Sequence, residues 1–576
     1  DGSEVYAPLN GLWTFPEIAQ SFKDALGKEQ MSDLYRAIVR FNGLVKYGKT
    51  VLAPTTAMRN WQSAMFFSLA NGHFDLTQMK KSISAFREQV SQKATGQDLK
   101  YLRHLKQLGV VYDTPYAGEM ARLMEDARME ELLSSDKGDA VRWFRKANQL
   151  AQGFYTFGDD FWKIIGFENE KAGLMKAGLS LQEAETEAAK RIRDTYPTYS
   201  MVGRGVQWLS RFPLAGTFVS FPAEIIRTSG NMLRTVAADL KSDNPKLREL
   251  GMKRAAGMVF VSAAFYSLAA LSMAMAGVGD DEDEAIRDLA PEWQKNSTFL
   301  YLGRDEKGNL RYFDMSFLDP YSYWKRPITA MLRNQPWEDS LASGLRGMLE
   351  PFIGADIAAK AIFEAVANQK ESGGKVYKEK DGAINQTIDV ADHLRKALQP
   401  GVVGNVERLV KAAGDVRKSS GQPYSMEDEL VALVGWRATT IDPKTALYYR
   451  SFEFTDAVAE ARKTITETLR DANEITPEDI ADAKARAQAK QEQAFKEMHR
   501  LVSAAESAGM SKMQIVQTLR LSNISQANIG SLMRGETPDV SITPQLAARA
   551  VRQASQMRGP EYAAEVFDRY RQARAN

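Results

Sequence analysis

The segment from Ala255 to Gly279 carries no charged residue and no proline, and it strongly limits what the chain can fold into. Lys253 and Arg254 precede it, and a run of five acidic residues, 280–284, follows it. A helix of this length spans about 37 Å, enough to cross a hydrocarbon core of roughly 30 Å with some tilt. The segment is therefore either a membrane span or the buried central helix of a large α-helical protein, and the sequence leaves both interpretations open.

The composition of this segment indicates how it would act in either setting. If it spans a membrane, the excess of cations on cytoplasmic flanks places Lys253 and Arg254 on the cytoplasmic side. Alanine, serine and glycine make up most of the segment, so its tendency to insert is modest. Small residues also recur on one face, which favours close helix packing or self-association. These residues are Ala263, Ser267, Ala270 and Ala274.

Elsewhere, apolar residues recur at intervals of three and four, and good helix formers fill the segments between prolines. One stretch differs, because two aromatic and β-favouring runs, 298–302 and 310–315, flank a polar loop that contains Lys-Gly-Asn. The sequence therefore predicts an all-α fold. We expect an irregular, elongated multi-helix assembly with one inserted β-hairpin and a charged C-terminal helical tail.

The pattern of composition predicts five segments. They are a helical domain over 1–250, the apolar helix with its charged flanks over 251–290, the hairpin and an aromatic segment over 291–327, a helical domain over 328–450 with a polar loop at 368–386, and charged long helices with a small helical module over 451–576. The helices within 455–508 have charge on most faces, so we expect them to protrude and to contact a partner. Deleting 452–576 should then leave the rest of the chain folded.

Residues that carry catalysis or hold metals are scarce. The chain has no cysteine and only four histidines, which are scattered, and it lacks the usual phosphate-loop, metalloprotease and serine-hydrolase motifs. We therefore predict no catalysis, no metal and no cofactor. The acidic run 280–284 is expected to be a solvated cluster, and His73 a polar loop or cap residue.

The stretch 311–327 has the most distinctive composition in the chain. Its acidic and aromatic residues allow a sugar or nucleotide site, but an aromatic plug that follows an Asp-Pro turn is the better interpretation. The residues concerned are Asp314, Asp319, Tyr321, Tyr323 and Trp324.

The stretch 510–538 has the proportions of a helix–turn–helix unit. Gln526 and Asn528 fall near the start of its second helix, where residues that read DNA bases usually lie. Arginines downstream supply positive charge for contact with DNA phosphates, among them Arg549, Arg552 and Arg571. A plain packing unit explains the same pattern, so DNA contact is one of two interpretations.

Several segments together resemble internal virion proteins of short-tailed phages. The stretch GLVKYGKTVLAPTTAMRNWQSAMFFSLANGHFDL resembles part of these ejection proteins. PLAGTFVSFPAEIIRTSGNMLRTVAADL, followed by AAGMVFVSAAFYSLAALSMA, resembles the C-terminal region of the largest of them. YLGRDEKGNLRYFDMSFLDPYSYWKRP and LVALVGWRATTIDPKTALYYR also resemble a domain associated with large polyvalent phage proteins. The likeness extends over about 40–450.

This resemblance implies a protein stored in the capsid and expelled into the host cell envelope, where it helps to form a conduit for DNA. It implies a homo-oligomer whose partners are other internal virion or portal proteins, phage DNA bound without sequence specificity, and the host inner membrane. The chain starts without Met and shows no signal segment, so we expect a piece of something longer. One alternative is the non-catalytic C-terminal module of a giant virion-packaged RNA polymerase. Another is a hydrolase or nuclease with an unrecognised site.

Overall fold

The computed structural model describes the chain over 45–111, 158–202, 220–322, 357–416 and 424–575, apart from short gaps within these ranges. Helices dominate the described residues, and the strands form one small antiparallel sheet. The predicted all-α class is confirmed.

Several helices precede the sheet, and the apolar helix is one of them. In chain order they are α1 Pro54–Ala70, α2 Met79–Thr95, α3 Lys100–Gln107, α4 160–176, α5 Leu181–Thr195, α6 Ser220–Lys241, α7 Pro245–Ala276 and α8 Asp280–Leu289. The apolar helix α7 begins earlier than its uncharged segment, because the Asn244 side chain accepts a hydrogen bond from Lys246 N and Pro245 fits the first position. It ends at Gly277, whose φ of 63° lies in the left-handed region. The predicted flanking cations are thus interior residues of α7.

The predicted hairpin is present, with one further strand. Strands β1 Phe299–Arg304 and β2 Leu310–Asp314 pair antiparallel, with a register irregularity between Tyr301 and Gly303. A third strand, β3 Ala438–Thr440, pairs antiparallel with β2. Three residues are too few to show the alternation of a strand, so β3 could not be recognised in the sequence.

The remaining helices follow the hairpin. They are α9 Ile357–Ala367, α10 Ala383–Leu398, α11 Gly401–Ala413, α12 Met426–Leu433, α13 Pro443–Asp471, α14 Pro477–Ser507, α15 Lys512–Leu521, α16 Gln526–Arg534, α17 Pro544–Arg558 and α18 Pro560–Ala575. Prolines open α14 and α17 as their positions predict. Helix α10 begins at Ala383, inside the predicted polar loop 368–386. Its start carries the polar side chains Asn385 and Gln386, which made it look like loop.

Most of these elements pack into one of two large hydrophobic cores. One lies among α1 to α6, where Trp162, Ile165 and Phe167 of α4 are buried. The other joins α8, the sheet and helices α13 to α16, and its members include Phe299 and Phe495. A smaller cluster connects α1, α6, α7 and the end of the hairpin, so α7 lies between the two cores.

The second core contradicts the idea of a protruding tail. The predicted boundary at 450 falls inside α13, which continues to Asp471. Phe454 of α13 and Phe495 of α14 pack edge to face at 5.0 Å within the core that also holds Phe299. The expectation that 455–508 protrudes is therefore wrong. The apolar seam on these helices is narrow because alanines line much of it, and small side chains suffice where helices pack closely.

Candidate functional site

Helix α7 is fixed to the rest of the chain by a buried ionic cluster around Arg254. The Arg254 guanidinium is 1% exposed and donates hydrogen bonds to Glu170 of α4 and, at 2.8 Å, to Asp239 of α6. Arg191 of α5 reaches the same two carboxylates, at 3.3 Å from Glu170 and 2.8 Å from Asp239. Two cations and two carboxylates thus balance each other out of water, which is the arrangement that makes buried charge tolerable.

His73 extends the cluster to the loop after α1. Its Nε2 lies 3.0 Å from Glu170 Oε1, and its Nδ1 lies 2.8 Å from the Tyr196 hydroxyl. A neutral imidazole satisfies both contacts, because Nε2–H donates to the carboxylate while Nδ1 accepts from the hydroxyl. His73 lies in a loop, as predicted, but it is 3% exposed and belongs to the ionic cluster, which the prediction did not include. The cluster comes from five separate elements, and no local pattern in the sequence marks it.

The pKa values in this cluster follow from burial and from the neighbouring charges. Burial lowers the pKa of His73, and this effect outweighs the attraction of Glu170; the charges of Arg254 and Arg191 lower it further. Burial alone would raise the pKa of Glu170, but Arg254, His73 and Arg191 hold it well below the ordinary range. The histidine is therefore neutral and the carboxylate charged at neutral pH.

We expect acid to destabilise the chain partly through His73. The unfolded chain takes up this proton near the ordinary pKa of 6.5, whereas the folded chain resists it. Stability from neutral His73 is thus present above this pH and lost as the pH falls toward the lower folded pKa, with a slope of at most about 1.4 kcal/mol per pH unit. Urea denaturation between pH 7.5 and 5 should show this slope in the wild type and a smaller one in His73→Gln.

His104→Gln provides the matched control, since His104 also pairs with a glutamate but its side chain is 43% exposed. This control removes a histidine at the surface, where water screens the pair, so it should unfold close to the wild-type midpoint. Equal slopes for the wild type and His73→Gln would contradict the assignment of a neutral buried His73.

Close packing fixes α7 one turn after Arg254. A Cβ added at Gly257 would lie 2.2 Å from the carbonyl oxygen of Leu69, at the end of α1. Gly72, with φ of +76°, brings the following turn against the backbone of Lys253. Glycine at 72 permits the left-handed turn, and glycine at 257 permits the close backbone approach.

The rest of α7 buries only a narrow stripe. Val261 and Phe265 are buried against α1 and α6, and the Phe265 ring lies 4.7 Å from that of Phe66. Further along, Ser272 Oγ accepts a 2.9 Å hydrogen bond from Tyr301 N of β1. The remaining faces of this part of the helix are largely exposed.

The exposed part of α7 is apolar along its length. Only 17% of its most apolar window is buried, and by length and composition it is the one helix among the described residues suited to crossing a membrane. Large side chains exposed on it are Met252, Val259, Phe260, Tyr266, Leu268, Leu271 and Met275. Among them lies a shallow depression of about 500 Å³ whose lining includes Val259, Ala263 and Tyr266.

The predicted packing residues of α7 fall into two groups. The small residues Ala263, Ser267, Ala270 and Ala274 are all exposed, so no described residue uses this face for close packing. Lys253 is exposed and pairs with Glu249 at 2.9 Å, as a flanking cation would. Arg254 is buried in the ionic cluster, so in this fold it is not an exposed cation beside the apolar segment. The interpretation of 255–279 as the buried central helix is also wrong for the single chain, which covers only one stripe of it.

The acidic run after α7 is only partly solvated. It forms the first turn of α8, where the helix dipole favours negative charge. Asp283 is buried and accepts hydrogen bonds of 2.7 Å from both Arg287 and the Tyr301 hydroxyl. The prediction of a solvated cluster is therefore wrong for Asp283. Among the described residues no group of acidic and histidine side chains has the arrangement of a metal site.

The aromatic stretch after the hairpin packs inward as far as the structure describes it. Tyr321 lies edge to face with Phe67 of α1, at 5.6 Å, and its amide donates to the buried Asp319. For Asp319 and Tyr321 this arrangement agrees with an aromatic plug rather than an open ligand site, whereas Asp314 lines a separate cavity. Tyr323 and Trp324 lie outside the described residues.

The two helices of the predicted helix–turn–helix unit are α15 and α16, and both contribute to the larger second core. Gln526 is exposed at the start of α16, and Asn528 is half-buried with its amide bonded to Ser525 Oγ. Arg549, Arg552 and Arg571 are exposed on α17 and α18, which pack in a different cluster. The structure therefore leaves the arginines and Gln526 exposed and Asn528 half-buried. They lie on helices that belong to two different hydrophobic clusters.

Comparison with known proteins returns no relative. No protein-family model, no curated protein and no solved structure matches the chain.

Proposed function

We propose that this chain is a non-catalytic structural protein of the phage ejection type. It is stored in the virion and delivered into the host cell envelope, where it helps to form a path for DNA. The observation that carries the proposal is the exposed apolar surface of α7. Apolar surface of this extent on a folded protein marks a site of contact with protein or membrane.

The contacts that hold α7 support two successive roles of this helix, first in the capsid and then at the host membrane. Its first turns are held by the Arg254 cluster and by the contact at Gly257, while its later turns bury one stripe only. In the capsid the exposed faces would pack against other copies or other internal virion proteins. At the host membrane the helix would leave its stripe and insert, with Lys253 on the cytoplasmic side.

Arginine substitutions at Ala263 and Ala270 test this proposal. Both positions are exposed, so arginine at either one should leave the fold of the single chain intact. In a membrane each arginine carries an insertion penalty of roughly 2.5–3.5 kcal/mol near the helix centre. We expect virions that contain the Ala263→Arg protein at normal copy number to lose DNA delivery, measured as potassium efflux and genome entry into host cells.

Ala548→Arg is the matched control, because Ala548 is an exposed helical alanine on α17. It should assemble and deliver DNA normally. Normal assembly and normal delivery with Ala263→Arg would refute the membrane role. Loss of the protein from the particle would instead assign the exposed face of α7 to assembly.

A further inference from the structure

A second candidate site is a positively charged cavity, unlike the apolar surface of α7. A cavity of about 390 Å³ opens where the start of α1, the end of β2, the junction of α10 with α11, and the segment from α12 to β3 meet. Its volume falls in the range of sites for small ligands. Five cationic side chains line it, namely Lys49, Arg59, Lys396, Arg408 and Arg437, and Asp314 is the one acidic residue among the described lining residues.

The cations of this cavity exceed the carboxylates that reach them. Arg408 pairs with Glu429 at 3.0 Å, and Lys396 pairs with Asp392 at 2.5 Å on its own helix. Lys49 Nζ donates to the carbonyl oxygen of Lys396, a neutral acceptor. Arg437 is exposed to the cavity and forms no salt bridge with a described carboxylate.

Mutual repulsion appears in the pKa values of the same side chains. Burial and then the charge of Arg408 lower the pKa of both Lys49 and Arg437, although Glu429 and Tyr424 partly offset this for Arg437. Burial and then the charge of Arg437 lower the pKa of Arg59, although Asp314 partly offsets this. The charged forms are thus held together at a cost that a bound anion would remove.

Two helix N-termini add to the positive potential. Helices α1 and α11 begin at the cavity wall, and neither N-cap residue, Ala53 or Pro400, supplies a side-chain hydrogen bond to the helix start. Val402 N donates to Leu52 O at 2.9 Å, which holds the two ends side by side. A Cβ at Gly401 would lie 2.5 Å from that of Ala53, so glycine is required for this approach. The partial positive charge at the two helix starts favours an anion, although Val402 N already donates to Leu52 O and Pro54 has no amide hydrogen.

We propose that this cavity binds a phosphate-bearing ligand of about the size of a mononucleotide. Arginine and lysine beside helix N-termini form the usual surroundings of a bound phosphate. The cavity volume leaves room for more than the phosphate itself. The same chemistry is offered by a free nucleotide and by the phosphorylated end of a DNA strand. The cavity shares no residue with the apolar face of α7. A negative result at one of the two sites therefore leaves the proposal for the other unaffected.

Calorimetric titration of the purified chain at fixed ionic strength tests the proposal. The probes are inorganic phosphate, deoxyadenosine monophosphate, and one short oligonucleotide with and without a 5′-phosphate. We expect phosphate probes to bind, and Arg437→Gln and Lys49→Gln each to weaken binding by roughly tenfold or more. Arg437→Lys should retain part of the affinity. Arg234→Gln, which removes an exposed arginine on α6 that has no place in either proposed site, should have no effect.

Thermal unfolding separates loss of binding from loss of fold. Because burial and the charge of Arg408 disfavour the charged form of Arg437, Arg437→Gln should not lower the midpoint in phosphate-free buffer. Phosphate should raise the midpoint of the wild type more than that of Arg437→Gln. Binding by the monophosphate indicates a soluble nucleotide, and binding by the 5′-phosphorylated strand alone indicates a DNA end. Absence of binding by every probe, or equal binding by wild type and both glutamine variants, would overturn the proposal.

Discussion

Replacing Glu170 with alanine should lower the free energy of unfolding by about 3–5 kcal/mol, the usual effect of removing one partner from a buried ion pair. The change leaves Arg254, 1% exposed, with Asp239 as its one remaining carboxylate, and it removes the acceptor of His73. Urea denaturation followed by tryptophan fluorescence suits this measurement, because Trp162 belongs to the adjacent core.

Glu249→Ala is the matched control. Glu249 pairs with Lys246 and Lys253 on the exposed side of α7, where water screens the charges. The control should unfold close to the wild-type midpoint. If Glu170→Ala unfolded at the same urea concentration as Glu249→Ala, the ionic cluster would not hold α7 in place.

Gly257→Ala should destabilise the chain by about 1–3 kcal/mol, as overpacking of a close contact does. The added Cβ would meet the backbone carbonyl of Leu69 at 2.2 Å, and a backbone atom at the end of a helix cannot rotate away as a side chain can. The better helix propensity of alanine, about 1 kcal/mol, offsets only part of this effect. Thermal unfolding followed by circular dichroism measures the difference.

Gly230→Ala, within α6, isolates the propensity effect. A Cβ at Gly230 meets no atom within 4 Å, so this variant should be as stable as the wild type or more stable by up to about 1 kcal/mol. Opposite signs for the two variants are the expected result. Stabilisation by both would contradict the close approach of α7 to α1.

Much of the fold could be predicted because its signals are local. The spacing of apolar residues located the helices, the proline and threonine at 543–544 marked the start of α17, and the aromatic runs around the Lys-Gly-Asn turn marked the hairpin. The course of α13 and α14 could not be predicted in this way. The apolar stripes on these helices consist largely of alanine and are narrow, so the sequence does not indicate burial. The helices form a core because the sheet packs against them.

Part of the candidate site could likewise be predicted from local signals, and part of it could not. The lack of charge in 255–279 identified α7, and its small residues are exposed at the predicted spacing. The role of Arg254 depends on Glu170 and Asp239, which lie on other helices, and on His73 beyond them. The cavity at Arg437 likewise combines residues from separate elements, so no run of the sequence shows its charge. Such sites arise from tertiary contacts, which periodicity does not encode.

The sharing of one core by the hairpin and the late helices has a consequence for synthesis on the ribosome. Strand β2 emerges long before its partner β3, and the core that Phe299 and Tyr312 share with Phe495 can form only after most of the chain has been made. During that interval the hairpin exposes aromatic side chains and an unpaired strand edge, which attract other chains. A nascent chain halted before α13 should therefore require chaperone protection that the core among α1 to α6 does not.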